Sequence, residues 1–123
     1  MAQPLDAIIR KDLLGSRDDD GTTNYETINA DGNTIYEDVS GSEQGFLVSV
    51  TYANGVTPNV EFALEGSLDG ISFGPINTKT VTDDSGSHTW DIAQSNSNFV
   101  RVAWTVSAGS VDIYVQLSAK RRH

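Results

Sequence analysis

Few residues in this chain could do chemistry. Its 123 residues include two histidines and no cysteine, so disulfides, thiolate metal sites and cysteine nucleophiles are excluded and the redox compartment is unreadable. His123 is the last residue of the sequence. His88 stands two positions before Trp90; strand alternation puts both on one face, where a packed, hydrogen-bonded imidazole is expected rather than a base, because function-bearing side chains sit mostly on loops. Spacing alone leaves a Ser-His-Asp triad open, but no serine has the Gly-x-Ser-x-Gly setting of a nucleophile elbow. Ser42, Ser67 and Ser85 lie among glycines and acids, as turn serines do.

The carboxylates could bind a metal only at the right spacing. Asp18-Asp19-Asp20-Gly21 and Asn29-Ala30-Asp31-Gly32-Asn33 are acidic, Gly-containing loops. A calcium loop of the EF-hand kind needs a carboxylate at its first position and a bidentate Glu at its twelfth. With Gly32 at the sixth position, Thr27 falls first and Asp38 twelfth; with Gly21 there, Ser16 and Thr27 fall in those places. Both loops therefore read as solvated turns. A weak calcium site between loops stays open, since hard cations accept many oxygen geometries. Glu61 and Glu65 point outward by alternation, away from any paired-carboxylate cleft. There is no Gly-rich phosphate loop and no metal-spaced histidine set. The expectation is no enzyme, no catalytic residue, no cofactor and no metal.

Among the large side chains, Trp90 and Trp104 fall on apolar faces at period two and read as core. Tyr36 and Tyr114 fall on outward faces. A ring with a wet hydroxyl suits stacking on a sugar, so these two are the candidate ligand-binding residues.

Lys plus Arg is 8 and Asp plus Glu is 17, a formal net charge of −9. That balance argues against general nucleic-acid binding, which needs a basic face. Residues 1–40 and residues 41–119 are each net −6, while Lys120-Arg121-Arg122 supply +3. A basic tip on an acidic body is suited to an acidic partner; it also reads as a solvated terminus. No apolar run approaches the roughly 18 residues of a membrane helix. Asp6, Arg10, Lys11 and Asp12 interrupt the apolar stretch near the start, so no secretory leader is expected.

The length suits one domain with a core of its own. Leu5, Ile8, Ile9 and Leu13 have helical spacing, and Ala7–Arg10 reads equally well as a short strand. Residues 15–24 are polar or Gly and read as a linker. The expected organisation is an N-terminal arm and linker over 1–23, a body over 24–119 and a basic tail over 120–123. In the body, Tyr25–Ile28 and Thr34–Val39 flank a hairpin signal at 29–33. Phe46, Val48, Val50 and Tyr52 share a face, as do Val60, Phe62 and Leu64. The same holds for Val100, Val102, Trp104 and Val106, and for Val111, Ile113, Val115 and Leu117. Asn54-Gly55 ends one strand, Ala108-Gly109-Ser110 is a tight turn, and Asn77–Thr82 is an edge strand. About seven to nine short strands, with turn signals about every 8 to 12 residues, predict an all-β antiparallel sandwich, jelly-roll-like, with an extended N-terminal arm.

Val60–Phe73 runs as an apolar strand, a Gly-Ser-x-Asp-Gly turn and an aromatic; Asn98-Phe99-Val100-Arg101-Val102, a turn at Gly109 and Val111–Val115 follow. Over about residues 45–118 this resembles the small β-sandwich accessory proteins of tailed-bacteriophage virions, such as capsid decoration (cement) proteins, head fibres and tail components. It is similar, more loosely, to galactose-binding-like jelly rolls. The first resemblance implies a decoration protein on the capsid surface that bridges major capsid subunits or binds another virion protein. It implies a homo-oligomer, a trimer being common in such proteins, with no nucleic-acid or membrane contact. Ile8, Ile9, Arg10, Lys11, Leu13 and Leu14 of the arm are the expected partner-binding residues. The alternative is a carbohydrate-binding or host-adhesion module of a tail or fibre, using Tyr36 and Tyr114. Arg101 is the one Arg between residues 24 and 119, where sugar-binding jelly rolls usually keep an Arg pair or several loop aromatics.

Overall fold

A computed structural model describes residues 6–40, 45–93 and 97–122. In chain order the strands are β1 (Asp6–Leu14), β2 (Ser16–Arg17), β3 (Thr23–Asn24), β4 (Glu26–Ile28), β5 (Gly32–Asn33), β6 (Glu37–Asp38), β7 (Phe46–Ser67), β8 (Gly74–Val81), β9 (Gly86–Ile92) and β10 (Phe99–Arg122). The fold is an antiparallel all-β sandwich, and two long strands organise it. β7 and β10 pair from Phe99↔Ser67 to Ala119↔Phe46.

Midway along this pair the register shifts between Val106, Ala108, Ser110 and Asp112. Asn54 and Thr57 on β7, and Gly109 on β10, take positive φ there. Bulges of this kind bend a strand and sharpen its twist. The two sequence signals expected to end strands, Asn54-Gly55 and Ala108-Gly109-Ser110, thus lie opposite one another and bend two continuous strands. Each long strand serves both layers. One layer holds β9, the first half of β7, the second half of β10, and β1 and β4; the other holds β8, the remaining halves, and β5 and β6. The apolar faces read from period two meet between them. Val48, Val50, Val60, Phe62, Leu64, Val100, Val102, Val111, Ile113, Val115 and Leu117 are at most 1% exposed, in one cluster with Trp90 and Trp104. β8 lies at the sheet edge, as its Thr-rich sequence predicts.

The N-terminal third departs most from expectation. Residues 6–14 are not an arm beside the domain but a strand of it, in register with β10 from Asp6↔Arg122 to Leu14↔Val115. Of the helix and strand readings, the strand is adopted. The tail is not separate either, because Lys120, Arg121 and Arg122 pair with Ile8, Ala7 and Asp6. The linker folds into the β2–β3 hairpin. Its turn is closed by Asp18 N–H donating to Thr22 O, Gly21 N–H to Asp18 O, and Thr22 N–H to Asp20 Oδ1. These local partners replace water, which is why a wholly polar stretch is ordered.

The hairpin expected at 29–33 does not form. β4 and β5 both run antiparallel to β10, through Ile28↔Val111 and Gly32↔Trp104. The polar residues between them fill the break in β10 pairing. Trp104 Nε1 donates to Ala30 O (3.0 Å) and Val106 N–H to Asp31 Oδ1 (2.7 Å). β1, β4, β5 and β6 therefore line β10 in short pieces, as a managed sheet edge does.

Candidate functional site

The predicted residues separate into three groups. Leu13 is 3% exposed in the core, so it is not offered to a partner, and the partly buried Leu14 packs against the same cluster; the register shift between Asp12 and Leu14 lets these consecutive side chains share it. Arg10 and Lys11 are exposed. The side chains of Ile8 and Ile9 lie outside the described ones. Tyr114 faces away from the core, as alternation requires, but is 2% exposed. β1 and the β2–β3 hairpin cover it: its hydroxyl donates to Asp12 Oδ1 of β1 (2.5 Å) and the Arg17 guanidinium of β2 lies 5.0 Å over its ring. It cannot stack on a sugar. Tyr36 alone of the two stacking candidates is at the surface, 50% exposed.

Tyr36 belongs to a cluster that period-two reasoning passes over. Thr34 is buried; its N–H donates to Val102 O (2.8 Å) and its side-chain Oγ1 accepts the Val102 N–H (3.1 Å). That anchor holds the β5–β6 segment against β10, and the next two residues, Ile35 and Tyr36, project outward. The Tyr36 ring stacks on Phe73 (5.9 Å) and tilts against Phe99 (5.4 Å). Arg101 Nε donates to Glu65 Oε1 (2.8 Å) while its guanidinium covers Phe73 at 4.1 Å. An open hollow of about 570 Å³ is lined by Asn33, Thr34, Ile35, Tyr36 and Arg101.

The turn after β7 extends this surface. Ser67 is buried, and its Oγ accepts the N–H of Asp69 and Gly70 and donates to Asp69 Oδ1. Asp69 Oδ1 in turn accepts the N–H of Ile71 and Ser72. The amides of Ser72 and Ile71, then the Ser67 hydroxyl, hold its carboxyl below the usual carboxylate range. This self-satisfied turn presents Leu68 and Ile71 to solvent, 68% and 84% exposed. Its Gly70 lies beside the Phe99 and Tyr36 rings. One signal for it was in the sequence: large aliphatics inside a Ser/Asp/Gly turn have no core within reach.

His88 packs edge-on against Trp90 (5.0 Å, 83°). Burial, and then the Lys79 ammonium, lower its pKa below the ordinary imidazole value. Among the described residues no three His, Asp or Glu stand close enough to hold a metal ion. What the cluster offers is apolar and aromatic contact area with one ion-paired cation.

No sequence-family profile matches the chain, and no curated protein does. Solved structures do match it. The SPBc2 prophage-derived protein YomS shares its fold at a TM-score of 0.55 and 8% identity, over 97% of this chain and 99% of that one. A Yersinia pseudotuberculosis-derived mitogen overlaps at 0.42 and 11% identity, over 95% and 86% of the two chains. A chain of the disulfide-linked Bacillus endospore appendages overlaps at 0.37 and 17%, over 93% and 83%. At these identities the likeness to YomS is one of fold.

Proposed function

We propose that this chain is a structural accessory protein of a phage virion, most specifically a decoration protein on the capsid surface that bridges major capsid subunits. The reading is that it acts by contact rather than by catalysis, as a homo-oligomer with no nucleic-acid or membrane partner. The observation that carries it is the end where exposed Ile35, Tyr36, Leu68 and Ile71 gather around the half-buried rings of Phe73 and Phe99. Clustered exposed apolar residues mark a surface that another macromolecule covers. Sharing a fold with a prophage-derived protein supports the phage setting. Bridging through several modest contacts resists separation of subunits more than one contact does.

The test mixes purified protein with undecorated heads of the phage or prophage that carries its gene, and measures co-sedimentation. The unaltered chain is expected to pellet with the heads. Leu68→Asp with Ile71→Asp should weaken retention about tenfold or more, the effect of removing a central apolar anchor. An unaltered chain that stays in the supernatant rejects the decoration reading.

The stacked Tyr36–Phe73 pair favours a second reading, a glycan-binding or host-adhesion module. It predicts saturable signals on a glycan array that vanish in Tyr36→Ala. An array without hits removes it.

A further inference from the structure

We propose that the two-stranded ribbon made by the outer ends of β1 and β10 is a cationic docking element, and that it seats on the acidic body of a second copy of this chain. This rests on the reading of the protein as one that assembles, and it names the chemistry of that assembly.

The first observation is where pairing puts the charge. Arg10 and Lys11 lie across from Ser118 and Leu117, and Lys120, Arg121 and Arg122 lie across from Ile8, Ala7 and Asp6. Five of the eight Lys and Arg residues are thereby gathered on one ribbon. The second is that, among the described residues, the ribbon outruns β7: β7 pairs with β10 as far as Phe46↔Ala119, whereas β1 continues to Asp6↔Arg122. The consecutive residues Arg10, Lys11 and Asp12 are all exposed, so side chains on both faces of β1 reach solvent there. Among the described residues β1 is also the last strand of its sheet.

The third is the complement. Residues 13–116 carry fifteen acids and three bases. A neighbouring copy presents that acidic body to the ribbon, whose own acids are Asp6 and Asp12 alone. Ribbon against ribbon would set like charges together, which is unfavourable. The contact is therefore heterologous, ribbon to body, and repeats into a ring or an open chain of copies.

Sedimentation velocity on the full chain tests this. The average mass is expected to rise at about 20 mM salt and to fall to that of the monomer at about 500 mM, where charges are screened beyond a few ångströms. Arg10→Glu with Lys11→Glu, checked for an unchanged thermal transition, should not self-associate. Immobilised unaltered chain should nonetheless capture that variant at low salt, because the variant keeps its acidic body. The proposal is overturned by an unaltered chain that is monomeric at low salt, by an oligomer indifferent to salt, or by a reversed variant that associates like its parent. Retardation of a DNA duplex by a monomeric chain would make nucleic acid the ribbon's partner and would also overturn it. A chain that co-sediments with heads yet never self-associates defeats this inference and leaves the decoration reading standing.

Discussion

Gly109→Ala is expected to be among the most damaging single substitutions in this chain, lowering stability by about 3 kcal/mol or more. Gly109 has φ +69°, a region costing an L residue about 1–2 kcal/mol by itself. Space adds the larger part. An added Cβ would stand 2.1 Å from Val56 O and 2.4 Å from Thr57 O. These are backbone atoms of the opposite bulge, so relief requires the paired bend itself to open. That bend lets β7 and β10 serve both layers, and a domain's total stability is only about 5–15 kcal/mol. Gly21→Ala is the control. Gly21 also has positive φ (+90°), in the β2–β3 turn, but nothing lies within 4 Å of its would-be Cβ. It should lose only the conformational part, about 1 kcal/mol. Urea midpoints at constant slope measure both. Equal losses would mean that crowding at the bend contributes nothing.

The contrast between these glycines shows where sequence reading succeeds and stops. Alternation over Phe46–Tyr52, Val60–Leu64, Val100–Trp104 and Val111–Leu117 identified the buried faces, because period two is a local property of a strand with one face against a core. What a strand does at its end is not local. Asn54-Gly55 and Ala108-Gly109-Ser110 carry turn chemistry, and positive φ is needed equally for a hairpin and for a bulge. Only the pairing of residues more than fifty positions apart decides between them. The same limit hid the course of β1, β4, β5 and β6, which find their partner in β10, the strand that ends the described chain. At the aromatic end, Tyr36 was legible as an outward ring. Phe73, Phe99 and Arg101 joined it only through tertiary proximity. Tyr114 was read onto the correct face and given the wrong exposure, because the cover it receives comes from a stretch whose polarity marked it as solvent-exposed linker.

That cover makes Tyr114 the second site of large expected effect. Tyr114→Ala should cost about 3–5 kcal/mol, the usual range for truncating a buried aromatic. It also removes the ring on which Arg17 rests and the hydroxyl that bonds Asp12. Tyr114→Phe keeps the ring and deletes one hydrogen bond to a carboxylate. Because Asp12 is exposed and regains water, the loss should be nearer 1 kcal/mol. The two variants differ again in alkali. Burial, then the hydrogen bond and charge of Asp12, push the Tyr114 phenol from its ordinary 10.0 up to about 12, with Arg17 opposing in part. A raised folded pKa means the native state holds its proton where the unfolded chain has released it. The stabilisation is therefore fully present below about pH 10 and is lost as pH rises through about 12. Unfolding free energy of the unaltered chain should fall between those values by on the order of 2 kcal/mol from this group. Tyr114→Phe should fall less steeply, keeping only the slope from other phenols. Tyr52, raised by burial and by the Asp83 charge, is one of these. Parallel profiles for the unaltered chain and Tyr114→Phe would show that Tyr114 ionises as it does in the unfolded chain, and so that the β2–β3 hairpin does not seal it in solution.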